Sequence, residues 1–162
     1  MKSLNEKSYE TELNAIKALL PELDEIIHKI RADNQFKIEH KAKNDLVTSA
    51  DLASEAFIVS RLSELFPDDV IWAEENHAQP EELDQRIWII DPIDGTTNFS
   101  HSFAPYCVSI ALWDRTELVL GLVYELAHKQ CFYATKGQGA YLDGTALSVS
   151  PCTQPEDSLI AT

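Results

Sequence analysis

A chain of 162 residues in which 44% of the side chains are hydrophobic and 25% are charged has the size and composition of a globular domain with a substantial core. Its formal net charge of −14 argues against nucleic acid as the main partner, because binding to a phosphate backbone needs clustered lysine and arginine. The same charge gives no reason to expect an anionic membrane as a partner, whereas a small anionic substrate is compatible with it if a bound metal reverses the local field.

The cysteines and the amino-terminal segment predict a cytoplasmic protein. Cys107, Cys131 and Cys152 lie far apart and form no Cys-x-x-Cys motif, which predicts reduced thiols and argues against a disulfide framework or a zinc site. Residues 1–6 are polar and lead directly into a predicted helix, so we expect no signal peptide. We also expect no membrane helix, because no apolar run approaches the roughly 18 residues that such a helix requires.

The first half of the chain predicts two helices. Apolar residues recur at steps of three and four from about Ser8 to Arg31, and Pro21 should kink this helix or divide it in two. Residues 36–44 are charged and predict a loop. Asp51 follows as an N-cap or first-turn residue of a second helix, which should end at Phe66 because a proline comes next.

The second half predicts short strands. They are Val70–Ala73, Ile87–Ile90, Cys107–Trp113, Leu118–Tyr124, Cys131–Ala134 and Ala140–Leu142, the last one preceding an Asp143-Gly144 turn. Two helices ahead of a largely antiparallel set of strands predict an α+β fold in which helices cover one face of the sheet. Residues 157–162 have the pattern of a further strand that is just beginning.

Two carboxylates lie at the end of the predicted strand 87–90. Asp91 and Asp94 are separated by Pro92 and Ile93. Positions i and i+3 of a regular strand point to opposite faces, but Pro92 removes a ladder donor and favours a bend, so both carboxylates and the Ile93 carbonyl can turn towards the same space. These hard oxygen ligands suit Mg²⁺ and suit Zn²⁺ or copper poorly. Without a basic neighbour they repel one another unless a cation lies between them.

The residues around this turn complete a candidate site. Gly95 allows the backbone to approach a ligand, and Gly95-Thr96-Thr97 predicts a helix start whose free N–H groups can receive phosphate. Glu74 follows the apolar run 70–73, so it too lies where a strand ends, and Glu75 is expected to have a supporting or solvent-facing role. An isolated Asp-x-x-Asp also occurs in ordinary turns, so the prediction depends on the whole set.

Three motifs, in this order, resemble those of the inositol monophosphatase family of magnesium-dependent phosphatases. They are DLVTSAD at 45–51, WAEE at 72–75 and the string from Trp88 to Phe99. The resemblance implies that residues 1–162 are the amino-terminal part of an αβαβα sandwich, whose carboxy-terminal α/β domain is absent from this chain.

The resemblance implies a set of metal ligands. Mg²⁺ would be held by Glu74, Asp91, Asp94 and the carbonyl of Ile93. A complete site would contain two or three ions, with Mn²⁺ as a substitute and Li⁺ as an inhibitor. Asp91 would bridge ions, and Glu74 would bind the ion nearest the nucleophilic water. In the family, a further metal-binding aspartate and most sugar contacts belong to the carboxy-terminal domain.

The resemblance also implies the catalytic and substrate contacts. Asp51 would accept a hydrogen bond from the Thr96 hydroxyl, whose oxygen is then free to accept a hydrogen bond from the attacking water. Glu74 would help to activate that water. Asp51 could instead cap its helix, and both roles can hold at once. Asp94, Gly95 and Thr96 would contact the substrate.

The implied activity is hydrolysis of inositol monophosphate or a related sugar phosphate by metal-activated water, in a cytoplasmic homodimer. Fructose 1,6-bisphosphate, nucleotide 3′-phosphates and NADP are alternative substrates within the family. Phosphatases that form a covalent aspartyl-phosphate carry the motif Asp-x-Asp-Gly-Thr, whose first aspartate is the nucleophile. Here Pro92 stands at the position of that nucleophile, two residues before Asp94, which argues against a covalent mechanism. The non-enzymatic alternative is an inactive fragment or an interaction module, since the chain holds only part of the implied site.

Overall fold

The computed structural model describes residues 8–32, 37–42, 45–75 and 79–158. Within these residues the elements are α1 (Glu10–Ala32), β1 (Ile38–Ala42), β2 (Asp45–Thr48), α2 (Ser49–Leu65), β3 (Val70–Ala73), β4 (Arg86–Asp94), α3 (Thr96–Ser100), β5 (Cys107–Asp114), β6 (Glu117–Glu125), β7 (Gln130–Thr135), β8 (Gly139–Leu142), β9 (Thr145–Ala146) and a 3₁₀ turn at Pro155–Asp157. None of the helices in these ranges combines the length and the apolar composition needed to span a lipid bilayer. The strand predicted to begin after residue 157 falls at 159–162, outside the described residues.

α1 buries one apolar stripe and remains a single helix. Ile16, Leu20, Leu23 and Ile27 recur at steps of four and three and are buried in the core. The helix continues through Pro21, so of the two predicted outcomes, a kink or a division, the division is wrong. A proline inside a helix removes one backbone hydrogen bond, and the burial of apolar side chains on both sides of it offsets that loss.

α2 begins and ends where the sequence predicts. Thr48 is the N-cap, Asp51 lies in the first turn and completes a capping box, and Phe66 is the C-cap. The loop predicted over 36–44 is wrong in its described part, because β1 pairs with β2 in an antiparallel hairpin. β2 runs directly into α2, so the hairpin helps to place the start of that helix and therefore Asp51.

β3 to β9 form one seven-stranded sheet whose spatial order follows the chain. Every neighbouring pair is antiparallel except β3 and β4, which are parallel. One face packs against α1 and α2, and its central buried residues are Trp88, Ile90, Ile110, Leu112, Leu120 and Leu122. The opposite face carries Val123 and Phe132, which are 37% and 36% exposed. The predicted α+β fold with helices on one face of the sheet is confirmed.

An ion cluster fixes the amino-terminal end of β4. Arg86 donates to Asp69 and to Glu12 of α1, both at 2.9 Å, and Trp88 Nε1 donates to Asp69 at 3.0 Å. These contacts tie β4 to α1 and to the turn before β3. The strand therefore presents the acidic residues of its carboxyl end at a defined place relative to the helices.

Candidate functional site

A bulge at the end of β4 brings Asp91 and Asp94 to the same face of the sheet. Asp91 is opposite Ser109 and Asp94 is opposite Cys107, so three steps along β4 match two steps along β5. Ser109 and Cys107 are two residues apart on β5, so their side chains lie on the same face of the sheet. Because β4 has one extra residue between the two pairs, Asp91 and Asp94 also lie on the same face, although residues three apart on a regular strand lie on opposite faces. This register shift lies between Asp91 and Asp94, where the sequence predicts a bend at Pro92.

The end of β3 lies beside the end of β4 and carries Glu74. The two strands are parallel with Ala73 opposite Ile90, and the Glu74 N–H donates to the Ile90 carbonyl at 3.1 Å. The carboxyl ends of neighbouring parallel strands meet at the same edge of a sheet. Glu74 and Asp91 are therefore neighbours, although 16 residues lie between them in the sequence.

Asp91 is a partly buried carboxyl group with two acidic neighbours at this edge. Burial, followed by the negative charges of Glu74 and Asp94, raises the pKa of the Asp91 carboxyl from 3.8 to about 7. Its Oδ1 atom is buried and has no hydrogen-bond partner among the described residues. A buried acceptor without a partner costs about 1–3 kcal/mol. A cation bound at Oδ1 would remove this cost and the repulsion together.

The donors at this edge fit a hard cation. Glu74, Asp91, Asp94 and the Ile93 carbonyl all offer oxygen atoms. Burial raises the pKa of the nearby Cys107 thiol to about 11, so without a bound metal the thiol is protonated at neutral pH. In the described part of the chain, no three acidic, histidine or cysteine side chains are close enough to enclose an ion by themselves. The oxygen donors named above are of the kind that Mg²⁺ prefers, and Mg²⁺ usually keeps several waters when it binds a protein.

Thr96 connects this edge to α2. Its hydroxyl oxygen lies 3.2 Å from Asp51 Oδ1 and 2.9 Å from the Ile93 carbonyl oxygen, so its single proton can go to either acceptor. Asp51 is 1% exposed, and its Oδ2 accepts from the N–H of Thr48 at 2.9 Å and from the Thr48 hydroxyl. Burial raises the pKa of Asp51, while the hydrogen bonds from Thr48 and Thr96 oppose that shift. Asp51 thus caps its helix and contacts Thr96 at the same time.

Gly95 shapes the turn between β4 and α3. Its φ of +86° lies in the left-handed region that favours glycine, and an added Cβ would lie 3.4 Å from the carbonyl oxygen of Pro105. α3 begins at Thr96, which confirms the predicted helix start. Arg31 of α1 holds the other end of this short helix, where its Nη2 donates to the Phe99 carbonyl at 2.7 Å.

Glu55 contributes to this region and is not among the site residues predicted from the sequence. It is 1% exposed, and its Oε2 accepts a hydrogen bond from the backbone N–H of Glu75 at 2.7 Å. The one available sequence signal is its position four residues after Asp51, which places both on one face of α2. Glu75, for which a supporting or solvent-facing role is expected, therefore contacts α2 through its backbone N–H.

The chain matches known proteins over most of its length. The family model described as "Inositol monophosphatase family" matches residues 6–162. Inositol monophosphatase 2 of Solanum lycopersicum is 42% identical over 129 residues, which cover 77% of this chain and 49% of that protein. The fructose-1,6-bisphosphatase/inositol-1-monophosphatase of Thermotoga maritima is 37% identical over 138 residues, which cover 85% of this chain and 52% of that protein.

A solved structure has the same fold. The crystal structure of an IMPase/NADP phosphatase complexed with Mg²⁺ and phosphate matches with a TM-score of 0.84 and 27% identity, and the match covers 91% of this chain and 56% of that one. The chain spans about half the length of the curated relatives that it matches. Because the family model matches residues 6–162, nearly the whole sequence, the chain belongs to the inositol monophosphatase family.

Proposed function

We propose that this chain carries the amino-terminal part of the active site of a Mg²⁺-dependent phosphomonoesterase that hydrolyses inositol monophosphate or a related sugar phosphate. Asp91 is the observation that carries the proposal, because its buried, unpaired oxygen and its acidic neighbours favour a divalent cation. The names of two relatives and the Mg²⁺ and phosphate of a similar structure support the same class of reaction.

Glu74, Asp91, Asp94 and the Ile93 carbonyl would hold the cation. Mg²⁺, when bound, would lower the pKa of a coordinated water and polarise the phosphoryl oxygens. The chain's own contribution is placement, since the bulge of β4 and the parallel pairing with β3 gather these oxygens at one edge. Asp91 must lose its proton to act as a ligand, so we expect metal affinity to fall as the pH drops below about 7.

Thr96 and Asp51 would orient the nucleophilic water. If the Thr96 hydroxyl donates to Asp51 Oδ1, its oxygen keeps lone pairs that can accept a hydrogen bond from that water. The capping contacts of Asp51 hold its carboxyl group in place. The backbone N–H groups of the turn at Gly95 and Thr96 would donate hydrogen bonds to the substrate phosphate, and Asp94 would contact another part of the substrate.

A substrate panel separates the alternatives within the family. Inositol 1-phosphate is the first choice because the sequence from Asp91 to Phe99, with His101 soon after it, resembles inositol-type members. Fructose 1,6-bisphosphate, nucleotide 3′-phosphates and NADP are the competitors. Phosphate release should be measured in Mg²⁺ with the complete protein, with Asp94→Asn as the control and Li⁺ as the expected inhibitor. Equal activity of the Asp94→Asn variant would contradict the proposed site.

We expect the isolated 162-residue chain to self-associate and to release little phosphate. The open face of the sheet, lined by Val123, Phe132 and Leu147, leaves apolar side chains in water, and by resemblance a further metal-binding aspartate belongs to another part of the protein. Size-exclusion chromatography and an inositol 1-phosphate assay test both points. Phe132→Thr should reduce the association, with Glu64→Gln as an exposed control. A monomer that hydrolyses the substrate would contradict this expectation.

For the complete protein we propose a cytoplasmic homodimer. Cys107, Cys131 and Cys152 all lie in the described part of the chain and are free thiols, which supports a reducing compartment.

A further inference from the structure

α2 carries two buried carboxyl groups one helical turn apart. Asp51 and Glu55 are each 1% exposed and share one face of the helix. Acidic side chains are rarely buried, and burial is costly unless their oxygens are hydrogen-bonded. The Thr96 hydroxyl lies within hydrogen-bond distance of Asp51, at 3.2 Å, and Glu55 accepts from the Glu75 N–H at 2.7 Å.

The partners of these two carboxyl groups lie next to the candidate metal ligands. Thr96 is two residues past Asp94 at the end of β4, and Glu75 directly follows Glu74 at the end of β3. The ladder between β3 and β4 extends to Ala73, and the Glu74 N–H still donates to β4. The Glu75 N–H is the next donor along the chain, and it turns away from the sheet to Glu55.

We propose that Glu55 is a positioning residue that fixes the turn carrying Glu74. One rigid helix then holds both segments, through Asp51 at Thr96 and through Glu55 at Glu75, and so sets the distance between Glu74 and Asp91. The inference rests on the proposed metal site, because Glu74 matters here as a ligand. Groups that hold metal ligands in place commonly change metal affinity by about 10–100-fold when they are removed.

Mn²⁺ titration of the 162-residue chain, followed by the paramagnetic resonance of the free ion, tests this role. Glu55→Ala removes the acceptor and should weaken Mn²⁺ binding by about 10-fold or more. Glu55→Gln should lose less, because its amide oxygen can still accept from the Glu75 N–H. Glu64→Gln makes the same change of charge at an exposed position of α2, where Glu64 pairs with Arg61 at 3.5 Å, and should bind Mn²⁺ normally.

The amide proton of Glu75 gives a second readout that needs no metal. A hydrogen bond to a carboxylate should place its resonance downfield and slow its exchange with solvent. Glu55→Gln should move this resonance upfield, whereas Glu64→Gln should leave it unchanged. Thermal unfolding shows whether each variant folds, and if Glu55→Ala does not, Glu55→Gln serves for both measurements.

The outcomes separate this inference from the proposed function. Equal Mn²⁺ affinity in the unaltered chain and in a folded Glu55→Ala variant, or an unchanged Glu75 amide in Glu55→Gln, would overturn the positioning role while the metal site stands. No Mn²⁺ binding by the unaltered chain would overturn the metal site and the positioning role with it.

Discussion

Replacing Thr96 with alanine is expected to lower kcat of the complete protein by about 10²–10⁴, the usual range for losing help in proton transfer and water orientation. The Thr96 hydroxyl lies within 3.2 Å of Asp51 and 2.9 Å of the Ile93 carbonyl, so it joins α2 to the end of β4 at the proposed site. Its removal takes away the proposed acceptor for the nucleophilic water. Steady-state kinetics with inositol 1-phosphate measure the loss.

Thr96→Ser is the matched control for this substitution. Serine keeps the hydroxyl and should retain most of kcat, whereas both variants should unfold at nearly the temperature of the unaltered protein. A near-normal kcat in Thr96→Ala would show that Thr96 only shapes the turn through its contact with Ile93.

Asp91→Asn is expected to stabilise the metal-free chain at pH 8 by about 0.5–2 kcal/mol, the range of single stabilising substitutions. The pKa of Asp91 is about 7 in the folded protein, against roughly 3.9 for an aspartate in an unfolded chain. The folded state therefore retains a proton between these pH values that the unfolded state has released, and stability decreases as the pH rises through this window. Asparagine is neutral throughout and removes the repulsion from Glu74 and Asp94.

Urea unfolding in EDTA at pH 5 and at pH 8 measures this effect. The difference in unfolding free energy between Asp91→Asn and the unaltered chain should be larger at pH 8 than at pH 5. Added Mg²⁺ should then stabilise the unaltered chain more than the variant. A difference that does not change with pH would show that the charge of Asp91 is not the source of the effect.

The acidic edge could be predicted because its signals are local. The apolar runs that end at Ala73 and Ile90 mark two strands, and Pro92 marks the bend that brings Asp91 and Asp94 together. The contact between Asp51 and Thr96 depends on packing between distant segments, and only the family resemblance implied it.

The features that could not be predicted are those in which tertiary packing overrides the local sequence signal. Glu55 looks like an exposed helix residue, and only the packing of α2 against β3 and β4 shows that it is buried. The charged stretch 36–44 predicts a loop, but in its described part the antiparallel pairing of β1 with β2 overrides that local signal. Pro21 predicted a kink in α1 or its division in two, and α1 is not divided because the apolar face continues through Pro21.

A calorimetric titration of the 162-residue chain with Mg²⁺ or Mn²⁺ tests the central claim most directly. We predict weak binding, with a dissociation constant of about 1 mM because Mg²⁺ keeps several waters. Asp91→Ala should abolish this binding, and the exposed Asp84→Ala should leave it unchanged. Binding by Asp91→Ala that equals binding by the unaltered chain would contradict the assignment of Glu74, Asp91 and Asp94 as metal ligands.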